Sequence, residues 1–262
     1  MRYIALSFDD SRADTYEIAK PIMEKYGLIG TVNVISDFVL HPDHCSLISS
    51  PRVMIPEQLH KWQRWGGEIA CHGSTHNNTP EDVIKNIEEL RAIGVDTKDI
   101  GFASPSSWLT HKNMEDSGIY ELKKNGTLSY LRSGIQIRRE GIVYTILSVL
   151  EQYTHSKYLY YYLNKRNIIK RNQKYAIYRS AAIKDFTTVK QIQYIVEKMN
   201  EDDGLIIMLH GVLDKGDQFY GKDHYYWDSD KFDNLCRWLK DKKDIEVVTT
   251  IALHKIISSA VT

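Results

Sequence analysis

The chain has 262 residues, and its 34 Lys plus Arg balance 34 Asp plus Glu, so no overall field recruits nucleic acid or an anionic membrane and any charge-driven partner must meet a local patch. That length fills one large α/β domain without requiring a second. Three widely spaced cysteines, Cys45, Cys71 and Cys236, match neither a disulfide framework nor a zinc-ribbon spacing, and read as core or near-core thiols in a reducing compartment.

Met1-Arg2-Tyr3 leads straight into an apolar stretch, with no signal-peptide pattern and no run of membrane-spanning length, so a cytoplasmic location is expected. Tyr3 to Phe8 predicts the first strand, which delivers Asp9 and Asp10 side by side. The stretch "TYEIAKPIMEKYG" predicts a helix started or kinked at Pro21 and closed by Gly27. Further strands are predicted at Thr31 to Ile35, Glu68 to Cys71 and Ile100 to Ala103, with a helix over "NTPEDVIKNIEELRAIG" that takes Thr79 as N-cap and Pro80 at its first position. Late in the chain, strands at Leu205 to Leu209 and Ile245 to Thr249 follow the amphipathic stretches "TTVKQIQYIVEKMNEDDG" and "DSDKFDNLCRWLKDK". This alternation is that of β-α units around a mostly parallel sheet.

From about Trp108 to Tyr178 the rhythm breaks. The segment "KYLYYYLNKRNIIKRNQKY" there holds six Lys or Arg and no acid. It reads either as an excursion whose tyrosines pack and whose cations face water, or as a cover for an anionic substrate such as a nucleotide- or lipid-phosphate-linked sugar. The expectation is a single domain over residues 1–262 with an irregular, Tyr-rich, basic insertion at about 108–178.

In parallel α/β folds ligands bind at the carboxyl ends of strands, so residues just after the apolar runs are the ones to collect. They are Asp9 and Asp10, His72, Ser104 to Ser107, and His210. In "ACHGSTHNN", His72 and His76 stand at i, i+4, a spacing that lets two imidazoles meet one ion, and Asp10 would supply the third ligand. Two neutral imidazoles and one carboxylate leave coordination positions open, as a hydrolytic metal requires. Adjacent residues of an extended chain point in different directions, which leaves the neighbouring carboxylate available as a general base. His210, after the most apolar run, reads either as a neutral, structural hydrogen-bonder or as an imidazolium that protonates a leaving amine, and its place at a strand end favours the second. The group "GKDHYYWDSDKF" is either a helix-start loop capped by Asp228 or Ser229, or an aromatic rim for a sugar ring.

These residues resemble the polysaccharide deacetylase family, the NodB-homology carbohydrate esterases that include chitin and peptidoglycan deacetylases. The motifs are Ser7-Phe8-Asp9-Asp10-Ser11, His72-Gly73-Ser74-Thr75-His76 and Leu209-His210, and the likeness covers roughly residues 3 to 105 and 183 to 252. The resemblance implies a deformed (β/α)7-type barrel, an α/β fold, that hydrolyses an N-acetyl group on a sugar, in surface-polysaccharide synthesis. By position it makes Asp9 the base, His210 the acid, and Asp10, His72 and His76 the ligands of a divalent metal, Zn²⁺ or alternatively Co²⁺, Mn²⁺ or Ni²⁺. The family's third motif, R-x-P-[YF], is reduced in "FASPSSW" to Pro105, although the main-chain N–H of Ser106 still suits an oxyanion donor. Arg132 and Arg179 are candidate substitutes for the missing arginine. Asp185, in Asp185-Phe186, matches an aspartate that tunes the acid histidine.

The expected partner is thus an N-acetylated sugar, nucleotide- or lipid-linked, with no nucleic acid. Two alternatives share the residues: a catalytically inactive carbohydrate- or metal-binding member of the fold, and a two-His, one-carboxylate iron oxygenase, against which the β-α alternation argues.

Overall fold

The computed structural model describes residues 1–45, 52–134, 140–171, 173–222 and 224–259. In chain order its elements are β1 (Arg2–Phe8), α1 (Lys20–Lys25), β2 (Thr31–Val34), α2 (Ser36–Leu40), α3 (Pro56–Arg64), β3 (Glu68–Cys71), α4 (Pro80–Ala92), β4 (Phe102–Ala103), α5 (Ile119–Lys124) and β5 (Leu131–Gly134). They continue with α6 (Ile142–Thr154), α7 (Lys157–Asn164), β6 (Tyr178–Ala182), α8 (Val189–Glu197), β7 (Gly204–Leu209), β8 (Gly211–Leu213), β9 (Tyr226–Asp228), α9 (Ser229–Asp241), β10 (Ile245–Val248) and α10 (Thr250–Ser259).

Strands β1 to β7 pair in chain order and β7 returns to β1, so seven parallel strands close a barrel. Both faces of such strands are covered, which is why "GLIIML" of β7 is apolar along its whole length and buried throughout. The barrel is deformed at β1. Its upper residues Ser7 and Phe8 pair with Thr31 and Val32 of β2, while Arg2 to Ala5 pair with Ile245 to Val248 of β10. Strand β10 is therefore wedged against the lower half of the β1 edge that β2 occupies above.

Helices pack outside the ring, with Phe8 edge-on to Trp62 of α3 and Phe232 of α9 at 6.2 and 5.8 Å between ring centres. The helix starts follow local chemistry. Thr79 Oγ1 accepts from Asp82 N at α4, Thr188 and Gln191 form a reciprocal cap at α8, and Asp228 Oδ1 accepts from Asp230 N and Lys231 N at α9. Helix α1 is preceded by a wide π-type turn over Thr15–Ala19, has Pro21 in its first turn, and gives way to Gly27 at φ 66°.

The stretch at 108–178 contributes more regular structure than its sequence suggests. It supplies the barrel strand β5, with α5 before it and the pair α6 and α7 after it. Tyr160 and Leu163 of α7 are buried, whereas Lys157, Lys165 and Arg166 are exposed. Lys170 and Arg171 are committed to Asp203 and Asp202, at 2.5 and 2.8 Å.

Candidate metal and catalytic site

At the end of β1 the chain leaves the extended conformation: Asp10 has φ 72° and Ser11 φ 53°. The two carboxylates diverge because the backbone turns left-handed here, and not through strand alternation. The turn is held by Ser11, whose hydroxyl accepts from Ile35 N at 2.7 Å and whose carbonyl accepts from Met54 N at 2.7 Å. Such a conformation costs on the order of 1 kcal/mol in a non-glycine residue and persists only where surrounding bonds enforce it.

His72 follows β3, and its Nδ1 lies 2.8 Å from the carbonyl of Ala103. A carbonyl can only accept, so Nδ1 carries a proton, and Nε2 faces Asp10 Oδ1, 3.3 Å away. The loop to His76 is gathered by Asp82, which accepts from Thr75 N and Asn77 N at 3.0 and 3.1 Å. Gly73 (φ 77°) is required inside it, because a Cβ there would fall 2.5 Å from Asp82 Oδ2. His76, at φ 61°, brings its Nε2 within 3.6 Å of the same Asp10 oxygen.

Ligand atoms of Asp10, His72 and His76 all lie within 4.8 Å of one another. Asp10 Oδ1 is buried with no hydrogen-bond partner, an orphaned acceptor that a cation would satisfy. A tetrahedral ion with ligands at about 2.1 Å sets its donors about 3.4 Å apart, and the observed 3.3 and 3.6 Å fit that edge. The residues present therefore suit a divalent ion. Burial would raise the Asp10 carboxyl, but the imidazoles of His72, His210 and His76 outweigh it and hold the group well below the usual carboxylate range. His76 is shifted down by burial and by His72, which favours the neutral imidazole a ligand must be. Burial also opposes the charged form of His72, yet Asp9 and Asp10 reverse this and its pKa is raised.

Asp9 is clamped. Arg132 Nη2 of β5 and Asn33 Nδ2 of β2 reach its Oδ1 at 2.6 and 2.7 Å, which leaves Oδ2 outside the clamp. Burial raises its pKa, and Arg132, His72 and His210 together more than reverse that, so Asp9 stays ionised. Of the two candidate arginines, Arg132 is the one paired with Asp9; the charge of Arg179 is felt instead at His111. Asn33 was not singled out from the sequence, although an amide in the wholly buried strand "TVNV" is a visible signal, since a polar side chain there needs a partner.

His210 follows β7, with Nε2 3.9 Å from Asp10 Oδ2 and its ring edge-on to Tyr225 at 5.0 Å. Its Nδ1 is buried without a partner. The segment beyond it is fixed by a buried ion pair: Arg12 binds Asp14 at 2.8 Å, and Asp14 Oδ1 accepts from Val212 N at 3.1 Å. The Asp185 carboxylate lies 3.0 Å from His224 Nδ1. The loop ahead of α9 divides its roles. Asp228 caps the helix, Tyr226 and Trp227 are buried, and Tyr225 and His224 face outward beside His210 and Asp185. Ser106 is exposed in the turn after β4, at φ 53°.

Residues 1–99 match the polysaccharide deacetylase family profile. The chain is similar to the polysaccharide deacetylases. No curated protein sequence matches it. Among solved structures, a family 4 acetyl xylan esterase from Clostridium thermocellum in complex with a cobalt ion superposes with a TM-score of 0.51 at 16% identity, over 97% of this chain and 91% of that one. The peptidoglycan deacetylase PdaC from Bacillus subtilis gives 0.50 at 13% identity, over 98% and 92%. At these identities the structures establish the barrel.

Proposed function

We propose that this protein is a divalent-metal-dependent deacetylase that hydrolyses the N-acetyl group of a sugar. The observation that carries the reading is the convergence of Asp10, His72 and His76 on one point, with the clamped Asp9 beside them and His210 across from Asp10. Asp10, His72 and His76 would hold the ion, which when bound supplies a Lewis acid that polarises the acetyl carbonyl and acidifies water.

Asp9 takes the proton of the attacking water through Oδ2, while Arg132 and Asn33 keep Oδ1 occupied and the carboxylate ionised. The main-chain N–H of Ser106 donates to the developing oxyanion. His210 protonates the departing nitrogen, without which an amine is a poor leaving group. Zn²⁺ suits the N₂O donor set, as do Co²⁺, Mn²⁺ and Ni²⁺. A sugar carried on a nucleotide or lipid phosphate, in surface-polysaccharide synthesis, is the form of substrate that the exposed cations of the α7 segment favour. The buried thiols of Cys71 and Cys236 fit a cytoplasmic setting. No described helix is long and apolar enough to cross a membrane.

The test is acetate release from N-acetylglucosamine oligosaccharides and phosphate-linked N-acetyl sugars by protein stripped with a chelator and then reconstituted. Stripped protein should release none and Zn²⁺ or Co²⁺ should restore it. Undiminished release by the stripped protein would remove the metal from the reading, and no release on any acetylated sugar at full metal occupancy would make the protein a binding module.

A further inference from the structure

Helix α6 is amphipathic in the opposite sense to its neighbours. Glu151, its one buried residue, points inward to bond Gln191, while Ile142, Val143, Ile146, Val149, Leu150 and Tyr153 are all exposed, Ile142 to 75% and Tyr153 to 80%. These six recur at helical spacing and cover a continuous stripe of about 120°. A contiguous apolar face on a water-exposed helix costs solvation in isolation and marks a contact surface.

What lies beside the stripe selects the occupant. Helix α7 returns alongside α6, with Tyr144 and Tyr162 rings 5.9 Å apart, and its exposed side is tyrosine and cation: Lys157, Tyr158, Tyr162, Lys165 and Arg166. Lys157 and Lys165 rest their ammonium groups over Tyr158 and Tyr162, at 5.3 and 4.7 Å. Arg166 is committed to Glu140 at 3.1 Å and Glu151 is turned away, which leaves Lys157 and Lys165 as the cations beside the stripe. In a chain with zero formal charge this hairpin is locally cationic. Tyrosines and lysines flanking an apolar stripe suit an interface that is oily at one depth and anionic at another. A second copy of the chain would bring like charges together across a two-fold axis, which opposes self-association.

We propose that the α6–α7 hairpin docks the protein on an anionic lipid bilayer, with the α6 stripe immersed at the level of the acyl boundary and Lys157 and Lys165 at the phosphates. Glu151 ties α6 to the first turn of α8, the helix that follows the carboxyl end of β6.

Flotation with vesicles tests this without reference to turnover. The intact protein should float with vesicles of equal phosphatidylglycerol and phosphatidylcholine and stay behind with phosphatidylcholine alone. Ile146→Asp with Val149→Asp, and separately Lys157→Glu with Lys165→Glu, should each lower the bound fraction by about tenfold or more, since each cation near such a surface is worth about 1 kcal/mol. Both pairs of positions are exposed, so thermal unfolding should be unchanged and reports that the fold is intact. Failure of the intact protein to float, or equal flotation of either variant, overturns the proposal. So does a concentration-dependent dimer that Ile146→Asp with Val149→Asp dissociates, because a second copy would then be what covers the stripe.

Discussion

The two ends of the barrel each bury carboxylate chemistry, and they treat it in opposite ways. At the amino end, Glu68 Oε1 accepts from Tyr130 at 2.7 Å and Oε2 accepts from Thr31 and Ile251 N, both at 2.8 Å. At the carboxyl end, Asp10 Oδ1, His210 Nδ1, Arg132 Nε and Asn33 Oδ1 are all buried without partners. Left-handed residues gather there too, at Asp10, Ser11, His76, Ser106 and Ser107. A closed network contributes rigidity, whereas open valences and strained backbone are tolerated where a ligand will complete them. The contrast separates scaffold from site more sharply than residue type does, since both ends bury acids among aromatic or imidazole neighbours.

Several substitutions probe this contrast. The largest effect is expected at the cluster itself: His72→Ala should abolish bound metal, measured by elemental analysis after gel filtration, and acetate release with it. Asp9→Asn should retain the metal and lower turnover by about 10²- to 10⁴-fold, the range associated with a general base. Near-normal turnover would assign the base elsewhere. Arg132→Met should lower kcat/KM by about 10- to 100-fold, as for partners that orient a working side chain. Its pH profile should also move. Burial raises the Asp9 pKa and Arg132 is the largest force lowering it, so without the guanidinium the acidic limb shifts to higher pH, and Arg132→Lys should restore part of it.

At the other end the readout is stability. Burial pushes Glu68 up from 4.5 to about 7 despite its hydrogen bonds, so the folded state holds a proton that the unfolded state releases. Its contribution is fully present below pH 4.5 and is lost as pH rises to about 7, an effect of about 3 kcal/mol at most. Glu68→Gln should flatten that part of the stability curve in urea titrations at pH 5 and pH 8, and leave metal binding intact. An unchanged slope would mean that Glu68 stays ionised. The smallest effect is expected at Asp185→Asn, which breaks a contact with exposed His224 and should change turnover by about twofold or less.

Much of the barrel was legible because parallel strands covered on both faces leave uninterrupted apolar runs: β1, β3 and β7 stand within a residue of where the sequence puts them. Strands β5 and β6 were not, since "LRSG" and "YRSAA" carry the polar residues that line the site end and so lack that run. The ligand triad could be collected because each member directly follows a strand or shares a loop with one that does. Arg132 could be named only as one of two candidates, because its pairing with Asp9 depends on β5 standing three strands from β1, by way of β6 and β7, around a closed ring. Asp185 was named on a two-residue likeness, and its contact with His224 was not visible in the sequence because residues 39 positions apart meet there.

The amide hydrogens at the start of α10 reach back to the early strands: Thr250 N donates to Thr31 Oγ1 and Ile251 N to Glu68 Oε2, across 219 and 183 positions of sequence. During synthesis, then, the first half of the ring must wait, with its lower seam open, until residues near 250 have left the ribosome. Closure by such distant segments is slow and leaves strand edges exposed meanwhile, so nascent chains halted before β10 should depend on chaperones and aggregate, while chains released after α10 should not.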